Sequence, residues 1–495
     1  MAPKIATDRR EFLKRGGLSL AGAAAHRILP AQAQPRDAAK ADYTIDIAHG
    51  LAELSPDQIV STMLYNGQFP GPLLRFKEGQ PVTVDIRNKT DHREFLHWHG
   101  QWVSSDVDGA EEERSRAVPP NEMIRETFTP RPSGFRFYHT HVRAAANLDR
   151  GQYSGLVGPV YIEPKDNPGA YDQEIFLVLK EFGPTLSRGG DMAMDFLAGE
   201  EVKSLKETGE TAMNASIKRG MSKGFEVGYQ FFTINGRMLG HGEPIRVKHG
   251  QRVLFHILNG SAGEIRSLAM AGHKFRVIAL DGNPVPHPSE VPVLWIGTAE
   301  RISAVVEMNH PGVFVLGDLS DDDRGHGMGI VVEYAGARGK PVWQKPRAAK
   351  WDYTVFGSSS SSTPPDHVFD MVFAKDNAAD GGFNRWTING VAYPDMMEMA
   401  EPLLRLTAGH RYRLRMRNES DDIHPIHLHR HSFELTRIAG KATGGIMKDV
   451  VMLGGYQEAE VDFVADNPGP TLFHCHQQLH MDFGFMALFD YDKPA

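Results

Sequence analysis

The sequence predicts an all-β chain of three tandem β-sandwiches, on three observations. Composition is the first: 50 Gly and 31 Pro in 495 residues, scattered among short runs of alternating apolar and polar residues, suit strands and turns. The second is length, enough for about three domains of ordinary size. The third is an internal repeat. Pro72-Leu73-Leu74-Arg75-Phe76-Lys77-Glu78-Gly79, followed by Val82 to Asn88, matches Pro244 to Gly250 with Val253 to Asn259, and Pro402 to Gly409 with Tyr412 to Asn418. In every copy an Asn follows the Gly by the same interval, and an Asn-Gly pair precedes the copy at Asn66-Gly67, Asn235-Gly236 and Asn389-Gly390. Each copy predicts a strand, a tight Gly turn and a second strand, the pattern of a sandwich hairpin. Its period is too long for a solenoid, so the repeating unit is a whole domain.

Taken in order, residues 1–33 stand outside the fold. Thr7-Asp8-Arg9-Arg10-Glu11-Phe12-Leu13-Lys14 has the form of a twin-arginine export signal, with a weakly apolar run and the cleavage site Ala31-Gln32-Ala33 after it. The expected location is a bacterial periplasm. The first sandwich is expected over 40–165, the second over 170–335 and the third over 350–495. An irregular stretch, about 188–226, rich in Gly, Lys, Glu and Met, reads as a helical or mobile insertion in the second. Gly357, Ser358 to Ser362 and Pro364-Pro365 read as an exposed connector into the third. No segment after residue 33 is apolar enough to span a membrane. Net charge is −8, and removing residues 1–33, which are net basic, makes the remainder more acidic, which argues against nucleic acid as a partner.

The histidines follow the repeat. Counted from the repeated Asn, His97 and His99 in the first unit match His427 and His429 in the third, where the middle unit has Leu268 and Met270. Counted from Gly134 and Gly469, His139 and His141 match His474 and His476, where the middle unit has Gly317 and Leu319. On a strand, residues i and i+2 share a face, so each His-x-His presents two imidazoles together. Four such pairs in register predict a polynuclear metal cluster between the first and third units. Cys475, the one cysteine, cannot form an internal disulfide. Alternation turns it away from His474 and His476 toward the interior of its own unit. There His424 and His480 complete a His₂Cys set, the donor set of blue copper. Position 485, where a weak axial Met is common in such sites, holds Phe485, and Met486 follows on the opposite face.

With these residues in place, the chain resembles the multicopper oxidase family through His97-Trp98-His99-Gly100, His139-Thr140-His141, His424-Pro425-Ile426-His427-Leu428-His429 and His474-Cys475-His476 with His480. The resemblance covers the chain after residue 33 and implies three tandem cupredoxin-like Greek-key β-sandwich domains. It implies four coppers per chain. His424, Cys475 and His480 would hold type 1 copper, His97 and His427 type 2, and His99, His139, His141, His429, His474 and His476 the type 3 pair. The implied activity is laccase-like: phenolic or aromatic amine donors are oxidised one electron at a time and O₂ is reduced to water. Cys475 with His474 and His476 would form the electron path, and Asp108 the proton-delivering carboxylate near the cluster.

The chain departs from the family pattern at Met481, where bacterial members often carry Glu, and at Arg430, where laccases commonly have Gly. Asp482 follows Met481, and His431 is expected in the core or behind the ligands. The nearest rival function is a periplasmic cuprous oxidase taking Cu(I). Its soft-ligand support is confined to Met192, Met194, Met213, Met221 and Met396-Met397-x-Met399. A non-catalytic exported scaffold is a rival of another class, and the intact ligand set argues against it.

Overall fold

A computed structural model describes residues 40–165, 171–188, 197, 224–359, 363–394 and 401–492. The twin-arginine segment, most of the 188–226 insertion and all the methionines of the cuprous-oxidase argument lie outside the described residues.

The first sandwich packs two four-stranded sheets. One runs Gln58–Tyr65, Tyr43–Ser55, Val82–Asn88, Met123–Phe128; the other runs Leu74–Lys77, Val157–Glu163, Gly134–Thr140, Leu96–His99. Strand alternation turns Ile45, Ile47, Val84, Ile86, Trp98 and Tyr138 into the space between them, where all are buried. Five-stranded sheets close the other two sandwiches. Arg266–Met270 lies in the middle one, and His424–Leu428 beside Thr471–Cys475 in the third. Their larger sheets join edge to edge into one of twelve strands, meeting where Phe225 of Phe225–Ile234 pairs with Phe383 of Phe383–Ile388. The middle and third units therefore share a continuous hydrophobic core.

The repeat forms the same local structure three times, but it is not a hairpin. Leu74–Lys77 pairs with Val157–Glu163, whereas Val82–Asn88, beyond the turn, pairs with Tyr43–Ser55 and Met123–Phe128 in the opposite sheet. Ile245–Val247 with Arg252–Asn259, and Leu404–Leu406 with Arg411–Asn418, divide between sheets in the same way. The repeat is a corner of the sandwich. Alternating apolar residues on both strands face each other across the core, which favours separate sheets over a shared ladder. The three Asn-Gly pairs all have positive φ at both residues, the requirement of a type I′ turn.

Candidate metal centres

Leu96–His99 pairs with Gly134–Thr140 so that His97 lies opposite His139. His424–Leu428 pairs with Thr471–Cys475 so that His427 lies opposite His474. These two ladders belong to the first and third sandwiches and face each other. The structure brings all eight histidines of the four pairs into one enclosed cluster, each at most 2% exposed. Across the interface the His97 and His429 rings stack at 4.1 Å and those of His99 and His427 at 3.8 Å. His99, His139 and His476 form one triangle with centroids 5.0–5.6 Å apart. His141, His429 and His474 form another at 4.9–5.4 Å, with His429 Nε2 3.0 Å from His474 Nε2.

The second nitrogen of most rings is anchored outward. His97 Nδ1 lies 2.8 Å from the Asp108 carbonyl, His139 Nδ1 2.8 Å from the Thr140 carbonyl, His427 Nδ1 2.7 Å from the Asp449 carbonyl, and His474 Nδ1 2.8 Å from the Cys475 carbonyl. A ring N–H donated to a carbonyl selects the tautomer whose other nitrogen carries a lone pair. His97 Nε2, His139 Nε2 and His427 Nε2 are buried without any hydrogen bond. His99 has the reverse orientation: Nε2 lies 3.0 Å from Asp449 Oδ1, and its buried Nδ1 has no partner. Both nitrogens of His141 and His476 are likewise unpartnered. Buried polar atoms are normally satisfied, so converging lone pairs left open mark a place for cations, and the residues fit bound metal. Burial holds His99, His139, His141, His427, His429 and His476 well below the usual imidazole range, and His474 at about 3. All seven are therefore neutral at pH 7, the form that ligates.

On the far side of the Thr471–Cys475 strand, Cys475 Sγ lies 3.6 Å from His424 Nδ1 and 3.5 Å from His480 Nδ1, and the two nitrogens are 3.1 Å apart. Burial pushes the Cys475 thiol up, so a cation must occupy this triangle before the sulfur ionises. Phe485, fully buried, packs edge-on to His424 at 4.6 Å. Met486 joins Leu472 and Met481 in a separate apolar cluster. The Trp386 indole stacks on His480 at 4.1 Å and donates Nε1–H to Asp422 Oδ2 at 2.9 Å. Lys375 Nζ in turn contacts Asp421 and Asp422, each at 2.8 Å.

Asp108 reaches the cluster but is held there, with Oδ2 2.8 Å from His429 Nδ1 and 3.0 Å from His97 Nδ1. Gly109, at φ 86°, lets this loop return beneath the strand; a Cβ there would lie 1.8 Å from the Leu96 carbonyl oxygen. His431 is outside the cluster, bonded to the Tyr491 hydroxyl at 2.8 Å and to the His429 carbonyl at 3.0 Å. Asp482 faces the loop after His141, accepting from the backbone N–H groups of Ala144 and Ala145 at 2.9 and 2.7 Å. Arg430 sits in left-handed backbone at φ 60°, where glycine would be unstrained. Its guanidinium spans the carbonyls of Val103, Asn467, Pro468, Gly469 and Pro470.

Four groups beside the cluster escaped sequence reasoning. Glu112 Oε2 lies 3.7 Å from His141 Nδ1, and Glu113 Oε1 lies 3.4 Å from His429 Nδ1 while accepting the Leu472 N–H at 2.6 Å. Asp449 touches His99, and Arg301 holds Asp449 through two bonds of 2.6 Å. The run Glu111-Glu112-Glu113 was the only available signal, and acidic runs ordinarily face solvent.

Multicopper oxidase family models match residues 49–167, 205–334 and 371–495. Multicopper oxidase MmcO of Mycobacterium tuberculosis is 28% identical over 99% of both chains. Laccase-3 of Thanatephorus cucumeris is 24% identical over 90% of each. The crystal structure of laccase from Botrytis aclada superposes with TM-score 0.70 at 18% identity, covering 95% of this chain and 93% of that one. Three family matches in tandem, on a frame of three sandwiches that gathers ten histidines and one cysteine into two buried groups, make this chain a member of the multicopper oxidase family and a copper-dependent oxidoreductase.

Proposed function

We propose that the chain is a laccase-like oxidase that takes electrons singly from phenolic and aromatic amine donors beside Cys475 and uses them to reduce O₂ to water at the histidine cluster. One observation carries this reading: His474 and His476 in the cluster are bonded through the backbone to Cys475 of the second group, which links the two groups within one strand end. In the same proposal His424, Cys475 and His480 hold type 1 copper, and His97 with His427 holds type 2. The triangles His99–His139–His476 and His141–His429–His474 hold the type 3 pair. Bound copper supplies one-electron redox chemistry and the site of O₂ reduction.

The protein's own part is positional. Carbonyls behind His97, His139, His427 and His474 orient the rings, and Phe485 excludes water from the Cys475 triangle. Asp108 holds a proton position at His429 Nδ1. Burial pushes Glu112 up to about 7, so near neutrality it can both hold and release a proton beside His141, a role absent at Met481. The units 40–165, 170–335 and 350–495 and twin-arginine export to the periplasm complete the proposal.

Copper-loaded protein is expected to be blue and to carry about four coppers per chain by metal analysis. Cys475→Ser should abolish the colour and donor oxidation while keeping the far-ultraviolet circular dichroism. Retention of both colour and oxidation would overturn the assignment. Phenol oxidation that requires excess Cu(II) would favour a cuprous oxidase instead.

A further inference from the structure

The repeated Asn is followed two residues later by a hydroxyl in every unit: Thr90 after Asn88, Ser261 after Asn259 and Ser420 after Asn418. Six residues past the Asn the units diverge, to Glu94, Ile265 and His424. The third unit alone therefore sets an imidazole at that place, and there Ser420 Oγ lies 2.9 Å from His424 Nε2. Asn418, Ser420 and His424 are all fully buried.

The direction of each bond in this chain is forced. The Asn418 amide nitrogen donates to the carbonyls of Asp422 at 2.7 Å and Gly454 at 3.0 Å, which identifies the other amide atom as Oδ1. That oxygen has no hydrogen to give, and it accepts the Ser420 N–H at 2.9 Å and the Ser420 hydroxyl at 2.8 Å. A serine has one hydroxyl hydrogen, so toward His424 its oxygen can only accept. His424 Nε2 must then carry the hydrogen of the neutral ring. The lone pair is left on Nδ1, which lies 3.6 Å from Cys475 Sγ and 3.1 Å from His480 Nδ1. Donors aligned in one direction polarise one another. The acceptor behind Nε2–H thus makes Nδ1 a more basic ligand. His480 is held differently, by stacking on Trp386 at 4.1 Å, a contact that fixes no tautomer.

We propose that Ser420, backed by Asn418, is a positioning residue for His424. It fixes the tautomer that faces Cys475 and strengthens that nitrogen toward Cu(II) more than toward the softer Cu(I). The reduction potential of the Cys475 group is thereby lowered, which restricts it to electron-rich donors. The proposal rests on the reading of His424, Cys475 and His480 as type 1 copper ligands.

Three variants separate this role from a packing one. Ser420→Ala removes the acceptor, and Ser420→Thr keeps it with the side chain that the first unit holds at the same place. Thr90→Ala removes the matching hydroxyl where no ligand follows. Redox titration of the copper-loaded enzymes at the blue absorption should find Ser420→Ala binding Cu(II) about tenfold more weakly relative to Cu(I). That is a potential about 59 mV higher. Its blue band should move, and its kcat/KM for electron-poor phenols should rise relative to electron-rich ones. Ser420→Thr should restore the parent potential, and Thr90→Ala should leave it unchanged. A blue Ser420→Ala protein at the parent potential would overturn the proposal while the copper reading stands. A shift in Ser420→Thr or Thr90→Ala as large as in Ser420→Ala would also overturn it, by making the effect one of packing. A copper-loaded parent without colour would overturn the copper reading, and this proposal with it.

Discussion

Arg430 illustrates how a single residue can hold a position that its backbone disfavours. The left-handed conformation costs on the order of 1 kcal/mol for a residue with a Cβ. Five carbonyl contacts offset that, and because Val103 belongs to the first sandwich they also clamp the turn carrying His429 across the interface. Glu126 is a different case. Buried and accepting the Trp98 Nε1–H at 2.8 Å, its carboxyl is pushed up to about 8 by desolvation. An acid with a raised native pKa binds its proton more tightly in the folded state. Its contribution is therefore complete below its ordinary value of 4.5 and is lost as pH rises through about 8. The loss is on the order of 5 kcal/mol. Glu126→Gln keeps an acceptor for the indole and removes the titration. Urea unfolding from pH 5 to pH 9 should show a falling stability in the parent and a flatter one in the variant.

At the level of elements, the repeated Asn explains why the sequence repeat is so regular. Asn88 donates to the carbonyls of His92 and Val118 and accepts from the Thr90 N–H. Asn259 does the same with Glu264, Ile296 and Ser261, and Asn418 with Asp422, Gly454 and Ser420. Each side chain locks the loop leading into the strand that carries ligands in the outer sandwiches and Leu268 and Met270 in the middle one. Three bonds lost together should cost about 3 kcal/mol. Asn259→Ala should accordingly lower the thermal midpoint by several degrees with copper content unchanged, since the middle unit supplies no histidine to either centre. Loss of copper from that variant would show the middle unit to be coupled to the cluster through this loop.

Over the whole molecule, the coupling runs through buried charge. Arg301 of the middle sandwich grips Asp449 of the third, contacts the Phe135 carbonyl of the first at 3.3 Å, and is joined by Arg136 at 3.4 Å from Asp449. Lys448 lies 2.9 Å from Asp281 and 3.0 Å from Glu300. Asp449 touches His99, so a unit without ligands still sets the orientation of one. Removing one partner of a buried pair strands the other, at about 3–5 kcal/mol. Arg301→Met should therefore lower copper occupancy of the histidine cluster while the group around Cys475, proposed to give the blue colour, keeps its absorption. Metal analysis alongside the visible spectrum checks this; equal loss at both centres would indicate general unfolding instead.

By itself the sequence determined the strand-rich class, the threefold period and the eleven residues now found in two groups, because period-two alternation and register are local properties that histidine spacing reports directly. It also placed Cys475 behind His474 and His476, as alternation requires, and a non-ligating Phe485 where an axial Met is common. Only the tertiary structure decided that the repeat is a corner between sheets, since which ladder a strand joins depends on partners distant in sequence. The same holds for Glu112 and Glu113, which look solvated in the chain and are buried because the third sandwich closes over them. It holds for Arg301 and Asp449 too, whose partnership joins units that no local pattern connects.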